Sequence, residues 1–295
     1  MSDAAVRVGM GNARMDVADA RLTRFAGHLA PVLNDTAATQ RMFSVEVGPE
    51  VSGETRVRRC ASRPDSLMST RICTDGPAPT TLYEVGLRSV AKFGSNPMCG
   101  YRPRLTDTPA GAPTFGPYQW VSYAEFFDKA MAVGAAFQHL GLKSGDMIAL
   151  YSVNRMEWCL CEHAGYTRNL TTVPLYDTLG ADATSFIVNQ AKVSTICTSI
   201  DLAPRLINNK ASLGPLKTIV IFDISDHRVV QRDLASIRAT ADAVGVKIVT
   251  VTEMIKTGAA SKFLAMANHT PPKVGDIATI CYTSGTTGTP KGLCF

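Results

Sequence analysis

One stretch near the carboxyl end carries the residue types best suited to chemistry: Thr283-Ser-Gly-Thr-Thr-Gly-Thr-Pro-Lys-Gly292. Gly285, Gly288 and Gly292 let backbone N–H groups turn toward one point, and the small side chains between them allow an anion to come close. Five hydroxyls, on Thr283, Ser284, Thr286, Thr287 and Thr289, add hydrogen-bonding groups. Lys291 offers an ammonium against negative charge, and Pro290 keeps the segment from winding into a helix. Together these residues suit a phosphate group. The Walker A pattern G-x-x-x-x-G-K-[ST] is not met, because Pro290 stands where Gly is needed and Gly292 where Ser or Thr is needed. A flexible Ser/Gly linker has a similar composition. It has no need of a Pro-Lys-Gly ending, nor of the strand-like run Asp276–Tyr282 that leads into the stretch.

Such a loop needs a scaffold, and the preceding sequence supplies one. Ser122-Tyr-Ala-Glu125 forms a capping box, and behind it Phe126, Ala130, Val133, Phe137 and Leu140 share one helical face up to a stop at Gly141. From Asp146 strands and helices alternate. Strands are expected at Met147–Val153, Thr171–Tyr176, Val193–Thr198, Leu216–Phe222, Lys247–Val251 and Asp276–Tyr282. Helices are expected at Met156–Arg168, Ala181–Lys192, Leu202–Ala211, from Val230 to Val244, and at Glu253–Met266. This alternation predicts an α/β fold: a parallel sheet with helices on both faces, whose strand ends are the usual ligand-binding edge. Upstream, a short helix after Thr81 precedes a Pro- and Gly-rich loop reaching Pro117. Residues 1–80 read as an irregular lead-in with one helix near Val17–Leu33.

Composition narrows the class. The 295 residues are 45% hydrophobic and 19% charged, and Lys+Arg 30 less Asp+Glu 25 gives a net charge of +5. Fibrous, disordered and low-complexity classes are excluded. The eight cysteines include no Cys-x-x-Cys pair, so a reducing compartment is expected rather than a disulfide scaffold. The start, with Asp3, Asp16 and Asp19, reads as neither a secretory nor a transit signal. No apolar run approaches the roughly 18 residues of a membrane span. The cluster Arg56, Arg58, Arg59 and Arg63 could touch an anionic membrane or nucleic acid, yet it lacks interleaved aromatics and reads first as solvated.

Other constellations are weaker. Cys159 and His163 lie four apart on a helix, but two zinc ligands need two more from elsewhere. Asp146, Glu157 and Asp177 occupy turn or helix-start positions that favour acids without catalysis. Trp158 reads as a packing residue, and the five histidines show no triad spacing.

The segment Tyr282–Gly292 resembles the phosphate-loop signature of the adenylate-forming enzymes. Within that superfamily, Val173-Pro-Leu-Tyr-Asp-Thr-Leu-Gly180 and Ile187–Ser194 are similar to eukaryotic long-chain fatty acyl-CoA synthetases. So are Gly145-Asp146, Asn154-x-x-Glu157-Trp158, Thr81-Leu-Tyr-Glu84 and Gly100-Tyr-Arg102. The resemblance covers about residue 81 to the end, and implies that 81–295 is part of an AMP-binding domain. It implies a fatty acid–CoA ligase using ATP, Mg²⁺ and coenzyme A, with fatty acid and nucleotide as partners. Thr283, Ser284, Gly285, Thr286, Thr287, Gly288 and Thr289 would hold the phosphates, Thr283 would help place Mg²⁺, and Lys291 would offset charge in catalysis. The family's adenine, ribose and fatty-acid segments, and its small C-terminal domain, are expected downstream of Phe295, so inactivity of these residues alone is expected. A catalytically silent α/β module is the alternative. Nucleic acid is not expected as a partner. Location is expected in the cytoplasm, including the cytosolic face of the endoplasmic reticulum or of another organelle membrane, with peripheral membrane contact.

Overall fold

In the computed structural model the described residues are 44–53, 55–60, 76–106, 113–176, 182–264, 270–283 and 290–295. Contacts divide the chain into Met1–Ala78 and Pro79–Phe295. In the first unit, β1 (Ser44–Val47) pairs antiparallel with β2 (Val57–Cys60). Arg58 reaches Glu46 at 2.8 Å and Arg56 reaches Glu50 at 3.1 Å, so these two arginines are paired with acids of the same unit. The helix expected at Val17–Leu33, and Arg63, lie outside the described residues.

The second unit opens with α1 (Leu82–Phe93), whose start is fixed by Thr81 accepting from the Glu84 N–H. The Pro- and Gly-rich region holds more order than its composition announces. There β3 (Pro97–Tyr101) and β4 (Arg104–Thr106) are followed by β5 (Thr114–Phe115) and β6 (Gln119–Ser122). β3 pairs with β6 and β4 with β5, both antiparallel. These strands are too short to show an apolar period, and Pro97 is tolerated at the first position of a strand. The capping box at Ser122 and Glu125 starts α2 (Tyr123–His139).

Then the alternation unfolds: β7 (Met147–Tyr151), α3 (Met156–Tyr166), β8 (Thr171–Pro174), α4 (Ala183–Gln190), β9 (Thr195–Ser199), α5 (Ala203–Asn208), β10 (Thr218–Phe222), α6 (His227–Ala243), β11 (Lys247–Thr250) and α7 (Val251–Ala259). Five of these strands form one parallel sheet in the order β11-β10-β9-β7-β8. Alternate side chains serve opposite faces, as the pleat requires. Ala149, Tyr151, Ile196, Ile219 and Ile221 pack with α4, α5 and α6, while Ile148, Leu150, Cys197, Val220 and Phe222 pack with α2, α3 and α7. Fully burying a side chain such as Phe222 contributes about 1.5–3 kcal/mol relative to leaving it exposed.

Several boundaries depart from the sequence expectation: α7 ends at Ala259, well short of Met266, which itself lies outside the described residues. Strand β11 ends at Thr250, because Thr250 and Glu253 form a second capping box that turns Val251 into a helix residue. The run expected as a final strand of the parallel sheet makes a parallel bridge to β8 at Thr279 alone, and from Ile280 it pairs in a separate hairpin.

Candidate phosphate-binding hairpin

The hairpin consists of β12 (Ile280–Thr283) and β13 (Lys291–Cys294), antiparallel, with Ile280 opposite Cys294, Tyr282 opposite Gly292 and Thr283 opposite Lys291. Its approach is tied to the edge strand β8 by a parallel bridge between Thr172 and Thr279. The Thr172 N–H donates to the Ala278 carbonyl at 3.0 Å, the Thr171 hydroxyl to the Ile277 carbonyl at 2.8 Å, and the Thr279 hydroxyl to the Thr172 carbonyl at 3.1 Å. These bonds aim β12 in the same direction as the sheet strands, so its far end lies toward their carboxyl edge.

Two side chains hold the strand down. Ile280 and Tyr282 are buried in the cluster lined by α4, and the Tyr282 hydroxyl donates to Gln190 Oε1 at 2.8 Å. Burial, with Cys294 nearby, pushes the Tyr282 phenol above its ordinary pKa, so it remains a neutral donor. Across the hairpin Gly292 is closely approached by both of these side chains. A Cβ there would lie 3.0 Å from Ile280 Cγ2 and 3.2 Å from the Tyr282 ring.

Thr283 and Lys291 stand opposite each other and are both exposed. Lys291, expected in the loop, opens β13 instead. It takes part in none of the ion pairs among the described residues. Ser284, Gly285, Thr286, Thr287, Gly288 and Thr289 lie outside the described residues. Among the described residues no cluster of three His, Cys, Asp or Glu could hold a metal ion. An exposed Thr283 hydroxyl fits a Mg²⁺ ion that takes most of its ligands from phosphate and water.

Within the Asn154-x-x-Glu157-Trp158 motif, Glu157 and Trp158 make structural contacts. Glu157 is fully buried in the first turn of α3, where one oxygen accepts from the Ile224 N–H at 3.1 Å, the Ser225 N–H at 2.9 Å and the Ser225 hydroxyl at 2.8 Å. Arg155 bridges Glu157 at 3.3 Å and Asp226 at 2.9 Å. Burial would raise the Glu157 carboxyl, but Arg155 and the Ser225 bonds more than offset it and hold it below the ordinary carboxylate range. The helix-start position of Glu157 was visible in the sequence, and its partners, about seventy residues away, were not. Trp158 stacks on Tyr176 at 6.5 Å. His163 Nδ1 lies 2.9 Å from the Cys159 carbonyl rather than forming part of a metal site. The cysteines at 99, 159, 161, 197, 281 and 294 are free thiols. Asp146 accepts from the Lys143 N–H at 2.8 Å, a turn role, and Asp177 lies outside the described residues.

Among known proteins, the family model for "AMP-binding enzyme" matches residues 102–295. The chain is 33% identical over 268 residues to the peroxisomal long chain acyl-CoA synthetase 7 of Arabidopsis thaliana, covering 88% of this chain and 35% of that protein. It is 35% identical to long-chain-fatty-acid–CoA ligase 5 of Rattus norvegicus over 72% of this chain and 29% of that protein. The chain thus spans about a third of the length of the curated relatives it matches. In fold it resembles the A-PCP didomain of a carboxylic acid reductase from Segniliparus rugosus, solved with AMP. That match has a TM-score of 0.62 at 22% identity, over 72% of this chain and 31% of the other. None of its described helices is long and apolar enough to cross a membrane.

Proposed function

The chain belongs to the AMP-binding enzyme family, and from that premise we propose that it carries the phosphate-binding part of a long-chain fatty acid–CoA ligase. The observation that supports this reading is the hairpin: a hydroxyl- and glycine-rich segment between two strands paired in register, rooted beside the edge of a parallel sheet.

In the first step a fatty acid carboxylate oxygen attacks the α-phosphorus of ATP. The bond to the bridging oxygen breaks, giving acyl adenylate and pyrophosphate. In the second the sulfur of coenzyme A attacks the acyl carbon, AMP leaves with its oxygen, and the thiol proton passes to solvent. The residues Thr283–Thr289 hold the phosphate oxygens through hydroxyls and backbone N–H groups. Lys291 offsets the charge gathering on the departing pyrophosphate, a task of positioning and electrostatics. Thr283 supplies one oxygen to Mg²⁺, which when bound neutralises phosphate charge. Buried Tyr282, with Gly292 paired opposite it, keeps Thr283 and Lys291 facing each other across the hairpin.

Since Thr283 and Lys291 are exposed, the hairpin alone attracts phosphate only through solvent screened by salt. These 295 residues by themselves are expected to bind ATP there no tighter than about 1 mM, and to make no acyl-CoA. The free thiols at the described cysteines suit work in a reducing compartment. The test is fatty-acid-dependent exchange of pyrophosphate into ATP by a full-length relative carrying this hairpin. Loss on removing the lysine that corresponds to Lys291, with the fold intact, supports the reading. Unchanged exchange refutes it.

A further inference from the structure

The motif Val173-Pro-Leu-Tyr176 has no part in the proposed function, yet it stands where the hairpin leaves the sheet. β8 is an edge strand, with β7 on one side. Backbone donors along a strand alternate between its two sides. Thr171 and Leu175 donate toward β7, to the Asp146 carbonyl at 3.0 Å and the Leu150 carbonyl at 2.8 Å. Thr172 donates the other way, to the Ala278 carbonyl at 3.0 Å on the approach to β12. The next donor on that side, two residues on, would be Pro174, and proline has no N–H. By the same step of two, the acceptor left without it is the Ile280 carbonyl. At that residue pairing passes from β8 to β13.

Proline on an edge strand ordinarily turns its bare side to solvent. Pro174 is instead buried, on the side of β8 that meets the hairpin's approach. Threonine hydroxyls add bonds where the ladder is short. The Thr171 hydroxyl donates to the Ile277 carbonyl at 2.8 Å, and the Thr279 hydroxyl to the Thr172 carbonyl at 3.1 Å. The Thr172 hydroxyl lies 3.4 Å from the Ala278 carbonyl. All three ties lie before Ile280. Beyond it, among the described residues, β12 is a strand of the hairpin and not of the parallel sheet. Continued pairing along β8 would carry β12 into the sheet as a sixth strand, and would draw Thr283, opposite Lys291, with it.

We propose that Pro174 is a positioning residue for the phosphate-binding hairpin: by withholding one N–H it ends the β8 ladder and sets where β12 departs, which places Thr283 and Lys291. The threonine hydroxyls fix the point of departure. The inference rests on the proposed function for the phosphate, and on the ladder alone for the geometry.

Pro174→Ala restores the donor, and hydrogen exchange of the 295-residue chain, followed by NMR, reads the geometry without any ligand. The expected result is a protected amide at position 174, with exchange slowed about 2- to 10-fold at Ile280–Thr283 and Lys291–Cys294. Thr279→Val removes one tie and adds no donor, so it should speed the same amides by a similar factor. Melting of Pro174→Ala should stay within about 4 °C of wild type, because the lost rigidity and the gained bond offset each other. In a full-length relative that has the same proline, the matching change should lower kcat for fatty-acid-dependent pyrophosphate exchange on the order of 10²-fold, with Tm held. A proline of structural use alone would lower Tm and activity together. The proposal is overturned by a freely exchanging amide at position 174, by hairpin amides that keep their wild-type rates, or by pyrophosphate exchange at the original rate. Loss of the fold in both Pro174→Ala and Pro174→Val overturns it too, since the proline would then support the fold itself. Wild-type hairpin amides in Pro174→Ala, beside loss of activity on removing the lysine corresponding to Lys291, would sink this inference and leave the proposed function standing. Unchanged activity in that lysine variant would refute the proposed function, while slowed hairpin amides in Pro174→Ala would still uphold the end of the ladder at Pro174.

Discussion

Removing Glu157 should strongly destabilise the Pro79–Phe295 unit. Glu157→Ala strips acceptors from two backbone N–H groups and the Ser225 hydroxyl, and takes one of the two carboxylates from Arg155. Breaking a buried pair from one side costs about 3–5 kcal/mol, because the remaining groups stay desolvated. For a unit of this size each kcal/mol moves Tm by about 2–4 °C, so the drop should be about 6–20 °C. Glu157→Gln keeps an oxygen for the Ile224 and Ser225 N–H groups, while Arg155 keeps Asp226, so about 1.5–3 kcal/mol is expected. Acidity provides a second check. The folded-state pKa of Glu157 is held below its ordinary value. Its stabilisation is therefore complete above the unfolded carboxylate pKa and is lost as pH falls through the lower folded value. Glu157→Gln should flatten that part of the acid limb. Thermal melts between neutral and acidic pH read both effects. A Glu157→Ala loss below about 1 kcal/mol, or an acid limb identical in Glu157→Gln, would refute the idea that this cluster ties α3 to the turn after β10.

Ser122→Ala removes the hydroxyl that accepts from the Glu125 N–H at the start of α2, and should cost about 1 kcal/mol in a denaturant titration. Gly258→Ala would drive a methyl into the Ala132 carbonyl where α7 crosses α2. Because backbone cannot swing aside as a side chain does, about 3 kcal/mol or more is expected, and a wild-type melt would contradict the close approach. Tyr282→Phe loses the bond to exposed Gln190 and should cost only about 0.5–1.5 kcal/mol, with the hairpin still formed as judged by hydrogen exchange at Lys291–Cys294.

The parallel sheet was legible because its strands are short runs of apolar and β-branched residues bounded by turn residues, and both of its faces are covered. Helix α2 was legible from its cap and its spacing. The overlooked start of α7 carried the same signal, Thr250-Val-Thr-Glu253, hidden beneath an apolar run that reads as continuing strand. The hairpin partner β13 could not be read, because Lys291-Gly-Leu-Cys294 has too few residues to show a period. Strands β3 to β6 are similarly short, and pairing between distant segments leaves no local mark. Glu157 shows the general limit. Its position in the sequence announced a helix start, whereas its burial depends on Ser225 and Ile224, which only the fold brings near.

The phosphate-binding role of the hairpin is tested most directly by pyrophosphate exchange in a full-length relative with the lysine corresponding to Lys291 changed to Ala. Donors aimed at developing charge are worth about 10²–10³ in rate. Exchange lowered to that extent, with thermal stability and circular dichroism unchanged, is the expected result. A folded variant that exchanges pyrophosphate at the original rate would contradict it.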